Sequence, residues 1–176
     1  MRTHDFTAYL DHQPSEIELD ALFEVGLDDA TPEWGGSARP ILHVSRLADT
    51  LAEAIVAVDQ DLARAGLRMV GVQHEELVGL RDIADRTGRS YESVRLLANG
   101  GRGPGGFPAP VDTPGTWALY RWSQVAQWLQ RNYGYDARTA EEATTLDAAN
   151  HLLAARAVKA DLSDIEALTH QDPLLA

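Results

Sequence analysis

The chain has 176 residues, a formal net charge of −12 and no cysteine. Its 44% hydrophobic and 24% charged residues have the balance of a soluble globular protein with material for one ordinary domain or two small ones. Disulfides, thiol catalysis and Cys-ligated zinc or iron–sulfur sites are excluded; there is no run of 18 apolar residues for a transmembrane helix and no apolar leader after Met1, so the cytoplasm is the expected compartment.

The charge is unevenly spread. Residues 1–75 carry 5 Arg against 14 acids, and residues 135–176 carry 3 basic against 8 acidic side chains. Residues 76–134 carry 7 Arg against 5 acids and form the only positive third of the chain. Arginine is the side chain suited to bidentate contact with phosphates and guanines, so this third invites a nucleic-acid reading.

In chain order, Phe6–Leu10 is a short β-prone run. Ser15 and Glu18 have the spacing of a capping box for a helix that runs to about Val25 and stops at Gly26. Residues 28–37 read as loop and Arg39–Ser45 as a second strand. Leu47, Leu51, Ile55, Val58 and Leu62 recur at helical spacing, with Asp49, Glu53, Asp59, Asp61 and Arg64 on the other faces and Gly66 at the end. Leu67–Val72 is a third strand. The expectation is a small acidic α+β domain over residues 1–75, a sheet covered by two helices.

Beyond it, Leu80–Thr87 predicts a short helix, Gly88-Arg89 a tight turn, and Ser90 the N-cap of a helix to about Ala98. The Gly-rich run 99–106 fits neither helix nor strand interior. Phe107–Val111 and Thr116–Arg121 predict a hairpin, and Ser123 the cap of a helix carrying Val125, Trp128 and Leu129 on one face. In the tail, Thr139 and Glu142 have capping-box spacing. Ala143, Leu146, Asn150, Leu153, Ala157 and Ala160 then form a thin heptad stripe on a helix over 140–160, about 30 Å long at 1.5 Å per residue. A last short helix is expected from Ser163.

The chemistry concentrates in the middle. Ile83, Ala84, Val94 and Leu97 are placed to pack two short helices across Gly88, whose freedom at positive φ suits the turn. That arrangement presents the start of the second helix to the outside, and in a helix-turn-helix this end enters the DNA major groove. Ile83-Ala84 with Gly88, Ser90 and Val94 resembles the helix-turn-helix of the MerR and AlpA/excisionase-like group. Phe107-Pro108-Ala109-Pro110-Val111, Tyr120-Arg121-Trp122-Ser123, Val125 and Trp128-Leu129 resemble that group's wing strand, return strand and closing helix. The loop from Gly100 to Gly106 is longer and richer in glycine than is usual there.

The resemblance covers about residues 76–133 and implies a winged helix. On this reading Ser90, Tyr91, Glu92, Ser93 and Arg95 face bases, Arg89, Arg102 and Arg121 lie near phosphates, and Arg81 belongs to the same surface or to a solvated helix face paired with Asp82. Trp117, Trp122 and Trp128 are read as core or wing packing. Double-stranded DNA is the expected partner and no cofactor or metal is expected, since the six histidines lack metal spacing and the Gly-rich run lacks the Gly-Lys-Ser/Thr of a P-loop. No enzyme site assembles from local motifs. One such domain reads few base pairs, which favours a homodimer; the 140–160 helix serves that dimer or packs on its own winged domain. The acidic domain is left a protein partner, a small ligand or a second dimer contact. The expected function is a DNA-binding transcriptional regulator, a repressor by preference, with an antitoxin or protein-interaction module and an excisionase-like recombination factor as alternatives.

Overall fold

The computed structural model describes residues 1–35, 38–74, 76–112 and 117–158. The fold is mixed α+β, as expected. The N-terminal part is a four-stranded antiparallel sheet, order β2-β3-β1-β4, built from β1 (Arg2–Leu10), β2 (Ala30–Glu33), β3 (Ile41–Ala48) and β4 (Met69–Val72). Strands β1 and β3 pair from Arg2 opposite Ala48 to Tyr9 opposite Ile41. Alternate residues His4, Phe6, Ala8 and Leu10 of β1 point inward, as the two-residue period of a half-buried strand requires. Helices α1 (Glu16–Glu24) and α2 (Leu51–Arg64) belong to this core; α2 buries Leu51, Ala54, Ile55, Val58 and Leu62.

Three expectations are corrected here. The first strand begins at Arg2, and the expected loop 28–37 holds strand β2, paired with β3 from Ala30 opposite Val44. Leu47 belongs to β3 and is exposed, because Thr50 and Glu53 form a capping box that starts α2 at Leu51, four residues later than the apolar spacing suggests. A cap is a local hydrogen-bond constraint and decides where the helix begins.

The Ser15–Glu18 capping box forms as expected. Glu18 accepts from the Ser15 amide (2.8 Å) and hydroxyl (2.6 Å), and its other oxygen lies 3.0 Å from His12 Nε2. The Ser15 bonds, with His12 assisting, pull the Glu18 carboxyl down to about 2, and the bond to Glu18 raises the His12 imidazole above its ordinary 6.5. Stabilisation from the lowered Glu18 is present above its ordinary range and is lost as pH falls through about 2; that from the raised His12 is present below 6.5 and is lost as pH rises through its folded value. In Glu18→Gln the His12 titration followed by NMR is expected to move back down toward 6.5.

The second part contains β5 (Leu77–Val78), α3 (Leu80–Thr87), α4 (Tyr91–Ala98), β6 (Tyr120–Arg121) and α5 (Trp122–Tyr133). Its core holds Val78, Ile83, Ala84, Val94, Leu97, Trp122, Val125 and Leu129. The expected hairpin is reduced. Val111 and Asp112 exchange backbone bonds with Leu119, both 2.8 Å, while Tyr120–Arg121 pairs with Leu77–Val78 instead. Phe107 is drawn into edge contacts with Tyr120 and Trp128, ring centroids 5.6 and 5.0 Å apart, rather than extending a strand. The expected turn residues 113–116 lie outside the described residues.

Helix α6 (Ala137–Ala157) packs on both parts. Ala140 and Ala143 enter the second core; Leu153, with Leu146 and Ala149 beside it, enters the first. Asn150 donates to the Val72 carbonyl (3.0 Å) and accepts from the Val72 amide (2.8 Å), the pairing a neighbouring strand would supply to β4. Most of the heptad stripe is therefore consumed inside the chain. The helix starts at Asp136, whose carboxylate accepts from the Thr139 amide and hydroxyl, 2.8 and 2.7 Å, so the expected Thr139–Glu142 box does not form; Glu142 accepts instead from Arg138. Ala160 and the helix expected from Ser163 lie outside the described residues.

Candidate nucleic-acid interface

Helix α3 opens with the Gly79 amide donating to Asp82 (2.8 Å) and closes on Gly88, left-handed at φ 64°. Ser90 is extended, and its hydroxyl accepts from the Ser93 amide (3.2 Å) to start α4. With Ile83, Ala84, Val94 and Leu97 all buried between the helices, the remaining face of α4 points outward. Tyr91 is 46% exposed, with the Arg81 guanidinium 5.9 Å from its ring centroid. Arg81 thus lies against the aromatic ring of α4, while Asp82, its expected partner, serves as the cap of α3.

Arg95 donates twice to Glu92, at 2.8 and 2.7 Å. That pairing raises the Arg95 guanidinium and lowers the Glu92 carboxyl, each by the hydrogen bond between them. In the isolated chain the charge of Arg95 is therefore balanced by its own helix neighbour.

Arg89 and Arg102 are organised by a residue that the sequence reading did not single out. The Arg89 guanidinium sits 4.5 Å from the centroid of the Tyr133 ring. The Gly-rich loop folds back onto the same tyrosine: a Cβ at Gly103 would lie 2.5 Å from Tyr133 Oη and 2.7 Å from Leu97 Cδ2, at φ +86°. Trp128 Nε1 donates to the Gly105 carbonyl (3.1 Å), and the Arg102 amide to that of Leu96 (3.2 Å). The exposed Arg102 is thus carried on a tethered loop beside Tyr133, as Arg89 is carried on its ring. The signal in the sequence was a glycine that must stay bare, but its partner lies 30 positions further on. Gly103→Ala is expected to push the loop off Tyr133 and weaken DNA binding about tenfold, read by fluorescence anisotropy, for a cost of roughly 1–2 kcal/mol in stability.

Arg121 is corrected. It donates to Glu76 and, at 2.9 Å, to Asp147, which also accepts from Ser123 at 2.7 Å. It is a partly buried tie between the β5 end, β6 and α6, and not a phosphate contact. Ser123, read as the cap of α5, is spent on the same tie; the helix begins two residues earlier than that cap implies, at Trp122 with Arg121 as its N-cap. Glu76, Asp147 and His151 bring potential metal-ligand atoms within 4.8 Å, but the Arg121 guanidinium is already paired with both carboxylates. Trp122 and Trp128 are buried, as read; Trp117 is not, standing 76% exposed beside the reduced hairpin.

No family model matches the chain, and searches of curated proteins and solved structures found no match either. Among the described residues no helix is long and apolar enough to cross a membrane.

Proposed function

We propose that the protein is a cytoplasmic, sequence-specific DNA-binding transcriptional regulator, a repressor by preference, acting as a homodimer. The observation that carries this reading is the α3–Gly88–α4 pair, whose apolar side is consumed in packing while the start of α4, Arg89 on the Tyr133 ring and the exposed Arg102 next to Gly103 stay at the surface. Tyr91, Ser93 and Arg95 then meet base edges in the major groove, and Arg89 and Arg102 meet phosphates. Ser90 fixes the helix start, and Glu92 releases Arg95 when a guanine or phosphate offers better acceptors.

The acidic N-terminal part is unsuited to direct DNA contact and supplies regulation. A protein partner there is favoured by α1, which leaves Ile17 and Phe23 exposed. That leaves a second reading, an antitoxin-like interaction module whose DNA binding is secondary.

Selection of bound sequences from a random duplex pool, followed by titration of the winner at several salt concentrations, tests the proposal. An enriched motif is expected, with log Kd against log salt steepening by about 0.9 per neutralised phosphate, so a slope near 4 for two arginines on each of two protomers. Absence of enrichment together with capture of a protein through Ile17 and Phe23 would shift the function to the interaction reading.

A further inference from the structure

The buried stripe of α6 is used up inside the chain, but the opposite edge of the helix is not. With α2 it walls an apolar groove of about 440 Å³. Ile55 of α2 is buried beneath it and Thr145 of α6 is half-buried, while Ala52 and Ala148 are small exposed residues along it. Val56 and Leu152 stand along it, 55% and 72% exposed. We propose that this face is where two copies of the chain associate about a twofold axis.

Two features point to a second copy as the occupant. A closed twofold interface places the same patch on both sides, so that patch must carry both the projections and the recesses that receive them. Here Leu152 and Val56 are the large exposed apolar side chains, and the small Ala52 and Ala148 in the same lining leave apolar space to receive them. Such small exposed residues also let helices approach closely. The second feature is charge. The chain carries −12, so most ways of bringing two copies together oppose acidic surfaces. In this groove the charged side chains are Asp59 and Arg156, and they neutralise each other through two hydrogen bonds of 2.6 and 2.9 Å. A face with no net charge is one that two strongly acidic copies can share.

This inference gives the dimer of the preceding section a surface. It is tested without DNA, so its failure and that of the DNA reading are separable. Sedimentation equilibrium of the full chain is expected to give twice 19.2 kDa at micromolar concentration. Leu152→Glu and Val56→Glu each place a charge in the groove and are expected to weaken the dimer about 100-fold or more, since an unpaired charge is costly to desolvate. Both side chains are largely outside the core, so the thermal melt of each variant, taken as a monomer, is expected to remain cooperative. Phe23→Glu, on the exposed face of α1, is expected to leave the dimer intact. A wild-type monomer at about 100 µM would overturn the proposal, as would a dimer that survives both groove variants. If removal of residues 159–176 converts a monomer to a dimer, the occupant is that segment and not a second copy.

Discussion

Arg89→Glu combined with Arg102→Glu is expected to weaken DNA binding at least 100-fold at moderate salt, with little change in the melting transition. The magnitude follows from replacing two phosphate contacts by two repulsions, about 1.4 kcal/mol for each factor of ten. Arg89 is half-buried on the Tyr133 ring and Arg102 is exposed, and neither belongs to the packed core of α3 and α4, so the helical pair should persist. Arg64→Glu, an exposed change of the same sign in the acidic N-terminal part, should alter affinity by less than about threefold and controls for net charge. Glu92→Gln should act in the opposite direction. It frees Arg95 from its bidentate partner and removes one acid from the reading face, so affinity should rise several-fold while the contribution of Arg95 to base discrimination persists.

The second large effect concerns stability. Asn150→Ala is expected to cost about 2–3 kcal/mol in chemical denaturation, because it strands both the amide and the carbonyl of Val72 beneath α6. For a chain of this size that corresponds to a fall of roughly 5–10 °C in melting temperature. A graded series tests the cause. Asn150→Asp keeps an acceptor for the Val72 amide but faces the Val72 carbonyl with a carboxylate, so it loses one bond and gains a repulsion. Asn150→Gln keeps both functions on a longer stem and should fall between wild type and alanine. A flat response across the three would mean that α6 is held by Leu146, Ala149 and Leu153 alone.

These two predictions differ in how much of their basis could be read from the sequence. The α3–Gly88–α4 helix pair was legible because its determinants are local: Ile83 and Ala84 one turn before Gly88, Ser90 as cap, and Val94 and Leu97 at helical spacing. Ser15 with Glu18 was legible for the same reason. Strand β2 was missed because Ala30-Thr31-Pro32-Glu33 has no strand-like pattern of its own; it exists through its pairing with β3. Arg121 carried the chemistry of a phosphate ligand, but its acidic partners lie 45 and 26 positions away and appear only when β5, β6 and α6 come together. In sequence Asn150 is one member of a thin heptad stripe open to a dimer or to packing within the chain; in the structure it is the residue that lets a helix satisfy the edge of β4. Tyr133 had no local signal at all. Its role comes from two contacts, with Arg89 and with Gly103, that are both remote in sequence. The elements of the candidate interface were therefore visible early, whereas its mounting depended on contacts between distant segments.

The measurement that tests the central claim most directly is amide chemical-shift mapping of the full chain titrated with the enriched duplex. The account predicts that the largest shifts fall at Arg81, at residues 88–95 and around Arg102, with the Arg95 side chain leaving Glu92, while the sheet of β1–β4 is nearly unmoved. Shifts concentrated on α1 or on that sheet, with α4 silent, would contradict it.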